Sequence, residues 1–455
     1  MVATAALRAA VADPPAPADP RPNVLLILTD DQAFDTFPGD PAAMPWLQSQ
    51  VFGGNPRWSW FPNAVASTPL CCPSRATILT GRYARNTGVV DNQSGAQLDE
   101  TATLAFALHA AGYRTGLVGK YLNEFPYERG PYVPPGWDRF LAKTNPDESL
   151  TYYSYPLVDQ GAGRSVGSSA WDYVTDVLGR AATDFVWQAP SDRPWFLTFT
   201  PIAPHEPWTP APRHADAFPG YVPPAPDAAA LNDVAGAPAW VRALPPIDAG
   251  RLAVLQDERV QAMRSLLAVD EAVHRLFDAL EAHGELENTV VIFMTDNGFA
   301  FGEHRIEGKR CPYEVCIRTP IAIRTPWDGA GTVDTLISNV DLAPTIADLA
   351  GTDLSWSVDG ASFAGYLRGG DPPERPGVLI EYVGDATMPH WVGVRAPDYV
   401  FLRTADGTRE LYDLLADPDE VNNLAAEAPR SQAVTSLLAK ARASLRDLIE
   451  RSSEG

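Results

Sequence analysis

The chain has 455 residues, 45% of them apolar and 20% charged, and a formal charge of −22. That length suits one large globular domain with a smaller one beside it. The acidity excludes nucleic acid as a partner, because nothing would neutralise a run of phosphates, but it leaves room for a small site with its own local positive charge.

The opening MVATAALRAAVA is rich in alanine and ends in Ala10-Val11-Ala12, similar to a signal-cleavage site, yet it lacks a basic start and a long apolar centre. Residues 1–22, closing in DPPAPADPRP, read as a disordered leader or signal remnant, and the compartment stays open between exported (periplasmic or extracellular) and cytoplasmic. Val24 to Leu28 is an uninterrupted apolar run, the pattern of a strand covered on both faces, and it ends in Thr29-Asp30-Asp31-Gln32. A short helix is expected near 44–50. The stretch 74–80 predicts a helix entered just after Pro73, whose free N–H groups would face Cys71. An amphipathic helix is expected over 99–111, closed by Gly112, and then a strand from Tyr113 to Val118 that runs into Gly119-Lys120.

Between Tyr127 and Ser169 periodicity is poor and aromatics, proline and glycine are frequent, so these residues read as loops of a pocket rim. Trp171 to Trp187 predicts a helix, and Trp195 to Thr200 a strand that delivers Pro204-His205-Glu206-Pro207-Trp208. Residues 209–250 read mostly as loop, and 251–283 as one long amphipathic helix stopped by Gly284. Val290 to Met294 repeats the form of the first strand and ends in Thr295-Asp296-Asn297-Gly298; both runs are too short to cross a bilayer, so no membrane span is expected. A strand at 321–324 and a helix at 342–350 precede a boundary in the Gly/Pro-rich stretch 369–377. Beyond it, strands at 378–383, 391–395, 398–403 and 409–412 and a helix at 431–450 predict a small α+β unit with an antiparallel sheet.

The chemistry gathers at strand ends. In open α/β sheets ligands collect beyond the carboxyl ends of the strands. A pair of aspartates there is, taken alone, more often a turn or a cap. Two apolar strands ending in Thr-Asp-Asp and Thr-Asp-Asn change that balance: Asp30, Asp31, Asp296 and Asn297 offer three carboxylates and an amide oxygen, and oxygen-only ligation suits a hard cation, calcium before magnesium in irregular loops. Arg75, Lys120, His205 and Lys309 supply positive or proton-donating groups to this acidic chain, suited to grip an anion and to protonate a leaving oxygen. His304 is a substrate contact, a second acid or a metal neighbour, and the sequence does not choose. Cys71 and Cys72 are adjacent and Cys311 and Cys316 lie five apart, a spacing that matches no common zinc site.

Cys71-Cys72-Pro73-Ser74-Arg75, followed by Ala76-Thr77-Ile78-Leu79-Thr80-Gly81-Arg82, resembles the signature of the type I sulfatases, whose first cysteine is oxidised to formylglycine. The resemblance extends over LTDDQ at 28–32, GKY at 119–121, PHEPW at 204–208, TDNG at 295–298, GKRCPYE at 308–314, NVDLAPTIADLAG at 339–351 and ELYDLLADPDEVNNL at 410–424. It implies an alkaline-phosphatase-like mixed central sheet flanked by helices over 23–370 and a C-terminal α+β domain over 371–455. It further implies one Ca2+ held by Asp30, Asp31, Asp296 and Asn297, with formylglycine 71 completing the shell, and Arg75, Lys120, His205 and Lys309 around the sulfate. A disulfide between the two cysteine regions would then have to use Cys72.

Within that family GKYLNEF at 119–125, PPGW at 134–137 and APHEPWTPAP at 203–212 look most like the N-acetylglucosamine-6-sulfatases. The implied reaction is hydrolysis of the 6-O-sulfate of N-acetylglucosamine or a related glycosaminoglycan sugar through a hydrated formylglycine. The implied partners are a sulfated carbohydrate or other small sulfate ester and, transiently, a formylglycine-generating enzyme. His304, His390 and Trp391 are expected near the substrate. One departure stands out: many arylsulfatases carry Lys-x-His where this chain has Lys120-Tyr121-Leu122, which leaves the base that resets the diol open. Competing readings are a broad arylsulfatase, a phosphonate or phosphodiester hydrolase on the same scaffold, a metal-dependent phosphatase-like hydrolase with Cys71 intact, and a glycan-binding relic.

Overall fold

A computed structural model describes residues 19–453 apart from 145–150, 191, 227–230, 233, 330 and 427–429. The leader reading for 1–22 therefore lies almost wholly outside the described residues.

Val24 to Leu28 do form a doubly covered strand, Asn23–Thr29, and every residue of it is buried. Alternate side chains enter two different cores: Leu25 and Ile27 face one, Val24, Leu26 and Leu28 the other. Each such side chain contributes about 1.5–3 kcal/mol of transfer free energy, so this strand has no face left for water. It sits inside a ten-stranded mixed sheet. Across the sheet the strands run Gly331–Thr332, Trp58–Phe61, Ile321–Arg324, Thr289–Thr295, Asn23–Thr29, Trp195–Thr200, Arg114–Lys120, Arg139–Lys143, Pro156–Asp159 and Ala162–Ser165.

The five strands from Thr289–Thr295 to Arg139–Lys143 are mutually parallel, and antiparallel strands flank them. Their carboxyl ends therefore share one edge. Thr29 pairs with Thr295 in register, which sets Asp30 beside Asp296. Helices Pro45–Phe52, Val174–Trp187 and Ala249–Ala282 cover one face, and Cys71–Thr80, Leu104–Ala110 and Leu342–Leu349 the other. Local chemistry sets their ends: the Thr103 hydroxyl accepts from the Phe106 N–H, Asp248 accepts from the Arg251 N–H, and Gly81 closes the Cys71–Thr80 helix with a φ of 71°.

A second antiparallel sheet of four strands, Val378–Tyr382, Trp391–Arg395, Tyr399–Thr404 and Arg409–Asp413, packs against the Gln432–Ser453 helix around its own core. This is the mixed sheet with a smaller C-terminal antiparallel sheet that the resemblance implied. No helix among the described residues is long and apolar enough to cross a membrane.

Three expectations need correction. Residues 127–169 are not all loop, because Arg139–Lys143, Pro156–Asp159 and Ala162–Ser165 extend the main sheet. The helix expected after Pro73 begins at Cys71; proline fits its first turn, where the missing N–H has no intrahelical partner to lose. The helix expected over 99–111 begins only at Leu104, where Thr103 caps it.

Candidate active site

Cys71 stands at the first position of a helix in which all ten residues are buried. Its Sγ lies 3.4 Å from Asp30 Oδ1 and 3.7 Å from Asp31 Oδ1, and the Lys309 ammonium donates to it at 2.6 Å. The Lys309 Nζ also donates to both oxygens of Asp31 at 2.6 Å, and the Lys120 Nζ to Asp30 Oδ2 at 2.6 Å. Arg75 donates from Nε to Asp296 Oδ2 at 2.8 Å and from Nη1 to the Lys120 carbonyl at 2.9 Å. Its Nη2 is buried without a hydrogen-bond partner.

Asp296 Oδ1 accepts from the backbone N–H of Asp31, which ties the two strand ends together, and the Ser74 hydroxyl donates to the Asp296 carbonyl. Asn297 donates its amide to Asp31 Oδ1 and to the Gly298 carbonyl, so its own Oδ1 is buried with no donor facing it. His205 Nδ1 lies 2.8 Å from the Glu206 carbonyl, and a carbonyl only accepts, so Nδ1 carries the proton. Its Nε2 is left facing Asp31 Oδ2 at 3.4 Å.

Electrostatics follow from crowding in a dry place. Burial alone would raise the Asp30 carboxyl, but Lys120, Arg75, His205 and Lys309 outweigh it and hold it well below the usual range. Asp31 is lowered in the same way, chiefly by Lys309 against its burial. Asp296 is pushed up to about 6 by burial and by the neighbouring Asp30 charge. Burial, then the Asp31 charge, pushes the Cys71 thiol far above its ordinary value, so the unmodified side chain is a protonated thiol and a poor nucleophile.

Among the described residues one group of ligating side chains has atoms all within 4.8 Å of one another: Asp30, Asp31, Cys71 and His205. The donor set of that corner, with Asp296 and Asn297 bonded directly to it, is rich in hard oxygens. The unpartnered Asn297 Oδ1 suits a hard cation. The Cys71 sulfur does not, whereas an oxygen at that position would.

Above the cluster opens a cavity of about 290 Å³ whose lining includes Asp31, His205, Lys309, Asn92, Trp208 and Arg251. Asn92 and Arg251 belong to the site mouth without any motif to announce them, and Trp208 joins them as the last residue of the PHEPW run at 204–208; Asn92 accepts from the Cys72 N–H and so touches the same helix start. Arg310, beside Lys309, takes a left-handed φ of 77° and is held three ways. Its N–H donates to Pro69, its carbonyl accepts from the Trp391 indole at 2.9 Å, and its guanidinium donates to Asp385. Cys311 and Cys316 close the same loop as a disulfide, while Cys72 is a free, buried thiol. A bridge between the two cysteine regions is thereby ruled out.

The residues expected near substrate are placed elsewhere. Trp391 is fully buried and reaches the mouth only through Arg310. His304 is buried, stacked on Tyr313 at 4.1 Å, and lines a neighbouring cavity of about 230 Å³ that shares Phe299 with the first; burial pulls its imidazole down to about 4. His390 is exposed and lines neither cavity.

A mixed sheet that gathers carboxylates, two lysines and an arginine around a buried cysteine is the site of a hydrolase acting on an anionic ester, and the chain belongs to the sulfatase family. The sulfatase model matches residues 22–352, and the model of the N-sulphoglucosamine sulphohydrolase C-terminal region matches 302–448. The protein is an enzyme of that family, a sulfuric ester hydrolase.

Its sequence is 34% identical to the human N-acetylglucosamine-6-sulfatase over 89% of this chain and 81% of that protein. It is 30% identical to the choline-sulfatase of Rhizobium meliloti over 90% and 83%. In three dimensions it resembles BT4656, solved in complex with its substrate D-glucosamine-2-N,6-O-disulfate, with a TM-score of 0.83, 25% identity and coverage of 96% and 99%. The fold is also that of the phosphonate monoester hydrolase of Agrobacterium radiobacter, with a TM-score of 0.74, 22% identity and coverage of 95% and 96%.

Proposed function

We propose that this enzyme removes the 6-O-sulfate of N-acetylglucosamine or a related glycosaminoglycan sugar, with residue 71 oxidised to formylglycine and a calcium ion beside it. The observation that carries the reading is the junction of Asp30, Asp31 and Lys309 on Cys71, with the unpartnered Asn297 Oδ1 next to it. Similarity to the N-acetylglucosamine-6-sulfatases supports the sugar and the ester position.

Asp30, Asp31, Asp296 and Asn297 would hold the calcium, which supplies Lewis-acid polarisation of a sulfate oxygen. Residue 71, once oxidised and hydrated, supplies an oxygen nucleophile that can release its own sulfate without water attacking sulfur. The Lys309 and Lys120 ammonium groups and the Nη2 edge of the Arg75 guanidinium, which has no hydrogen-bond partner, neutralise the sulfate oxygens as the ester bond opens. His205, with Nδ1 fixed as donor to Glu206, exchanges a proton with the sugar oxygen through Nε2. Leu122, where many arylsulfatases have a histidine, is buried among apolar side chains, so proton exchange falls to His205.

Mass spectrometry of the peptide containing Cys71, paired with rates on 6-sulfated N-acetylglucosamine, an aryl sulfate and a phosphate diester, tests this. Formylglycine at 71 with the sugar sulfate preferred is the expected result. An unmodified cysteine with full activity, or a large preference for the diester, overturns it.

A further inference from the structure

A cleft of about 570 Å³ lies between the C-terminal sheet and the Gln432–Ser453 helix, and it shares no lining residue with the cavity over the catalytic cluster. Arg403, Arg409, Arg442 and Arg446 line it, against one acid, Glu450, with Phe401 as part of its apolar wall. In a chain of net charge −22 this is a concentration of positive charge without an obvious counterweight. Arg451 on the same helix pairs with Asp447, but among the described residues none of the four forms an ion pair.

The four come as two like-charged pairs. Arg403 stands directly opposite Arg409 across neighbouring strands, and Arg442 and Arg446 are one helical turn apart. Both arrangements are unfavourable in the free protein, since like charges repel across a ladder and at i,i+4 on a helix. Two repelling pairs turned toward one concavity become favourable together once an anion with several charges lies between them, and guanidinium forks fit sulfate oxygens two at a time.

We propose that this cleft is an accessory site for a sulfated oligosaccharide, one that holds a stretch of chain apart from the ester being cleaved. The anion site stands on the arginines alone; the choice of a sulfated saccharide among polyanions rests on the proposed function. The net acidity of the chain as a whole favours a short sulfated stretch over a long nucleic acid.

The test titrates a heparin hexasaccharide into the full chain carrying Cys71→Ala, so that no ester is cleaved while binding is read. The same titration is repeated with Arg403→Gln/Arg409→Gln, with Arg442→Gln/Arg446→Gln and with all four changes. Affinity is expected to fall about tenfold or more in the fourfold glutamine variant, with a shallower salt dependence, and to recover only in part when all four are lysine, which restores the charge without the paired guanidinium contacts. The thermal midpoint of each glutamine pair is expected to hold or rise, because a repulsion has been removed. Unchanged hexasaccharide affinity in both pair variants overturns the site. Displacement by inorganic sulfate at equal sulfate concentration, or tighter binding of a single-stranded oligonucleotide of equal charge, overturns the assignment to a sulfated saccharide. Failure of the catalytic reading appears separately, as no sulfate release by the native chain.

Discussion

The Lys309 ammonium lies 2.6 Å from both carboxylate oxygens of Asp31 and 2.6 Å from the sulfur of Cys71, a residue 238 positions earlier in the chain. Burial works against that charge, but the carboxylates of Asp31 and Asp30 outweigh it and hold the lysine well above its ordinary range. It is therefore a fixed cation at the reacting position.

Lys309→Ala is expected to lower kcat for sulfate release by about 10²–10³-fold, the usual cost of removing one preorganised charge-stabilising donor. Initial rates on a sulfated sugar measure it. A loss confined to KM would place the lysine in ground-state binding instead.

Dialysis of the native enzyme against a chelator is expected to abolish activity and lower the thermal midpoint, and added calcium to restore both. Ligand at a hundred times its Kd contributes about 2.7 kcal/mol of stability. Scanning calorimetry with and without the chelator checks the shift.

Glu410 gives a pH signature away from the reaction. Burial pushes its carboxyl up to about 7, against the hydroxyls of Tyr412 and Tyr313, which donate to it at 2.7 and 2.9 Å. An unfolded glutamate titrates near about 4.3. Between those values the folded state keeps a proton that the unfolded state has lost, so this group makes stability fall as pH rises from about 4.3 to 7 and contributes no slope outside that window. Glu410→Gln should flatten that fall by on the order of 3 kcal/mol, read from denaturant unfolding at pH 5, 6, 7 and 8.

Gly119 precedes Lys120 with a φ of 129°, and a Cβ there would sit 1.9 Å from the Thr200 carbonyl oxygen. Gly119→Ala must push apart two central strands at the residue that carries the lysine. A stability loss of about 3 kcal/mol or more, with activity lost alongside, is expected in denaturant unfolding and rate measurements.

Strands buried on both faces were plain in the sequence, because Val24–Leu28 and Val290–Met294 need no polar face and so show none. The groups at their ends were plain for the same reason: a polar triplet after an apolar run has to face the sheet edge. Ala162–Ser165 left no such trace, being exposed along its whole length at the end of the sheet. The direction of loop side chains was also hidden. Nothing local says that His304 takes a φ of 53° and turns onto Tyr313, or that Trp391 points inward from its strand. Asn92, Trp208 and Arg251 reach the mouth from three separate stretches of chain, and only the tertiary structure joins them.

The total burial of the helix that begins at Cys71 sets a timetable for the catalyst. If residue 71 is oxidised as proposed, an enzyme acting on this thiol could not grasp it once the helix has docked, so that modification would precede folding. Folding and maturation then compete for each nascent chain. A preparation would hold two populations with the same fold, and its specific activity would report how many chains were oxidised in time, a fraction that later exposure of the folded protein to the modifying enzyme could not raise.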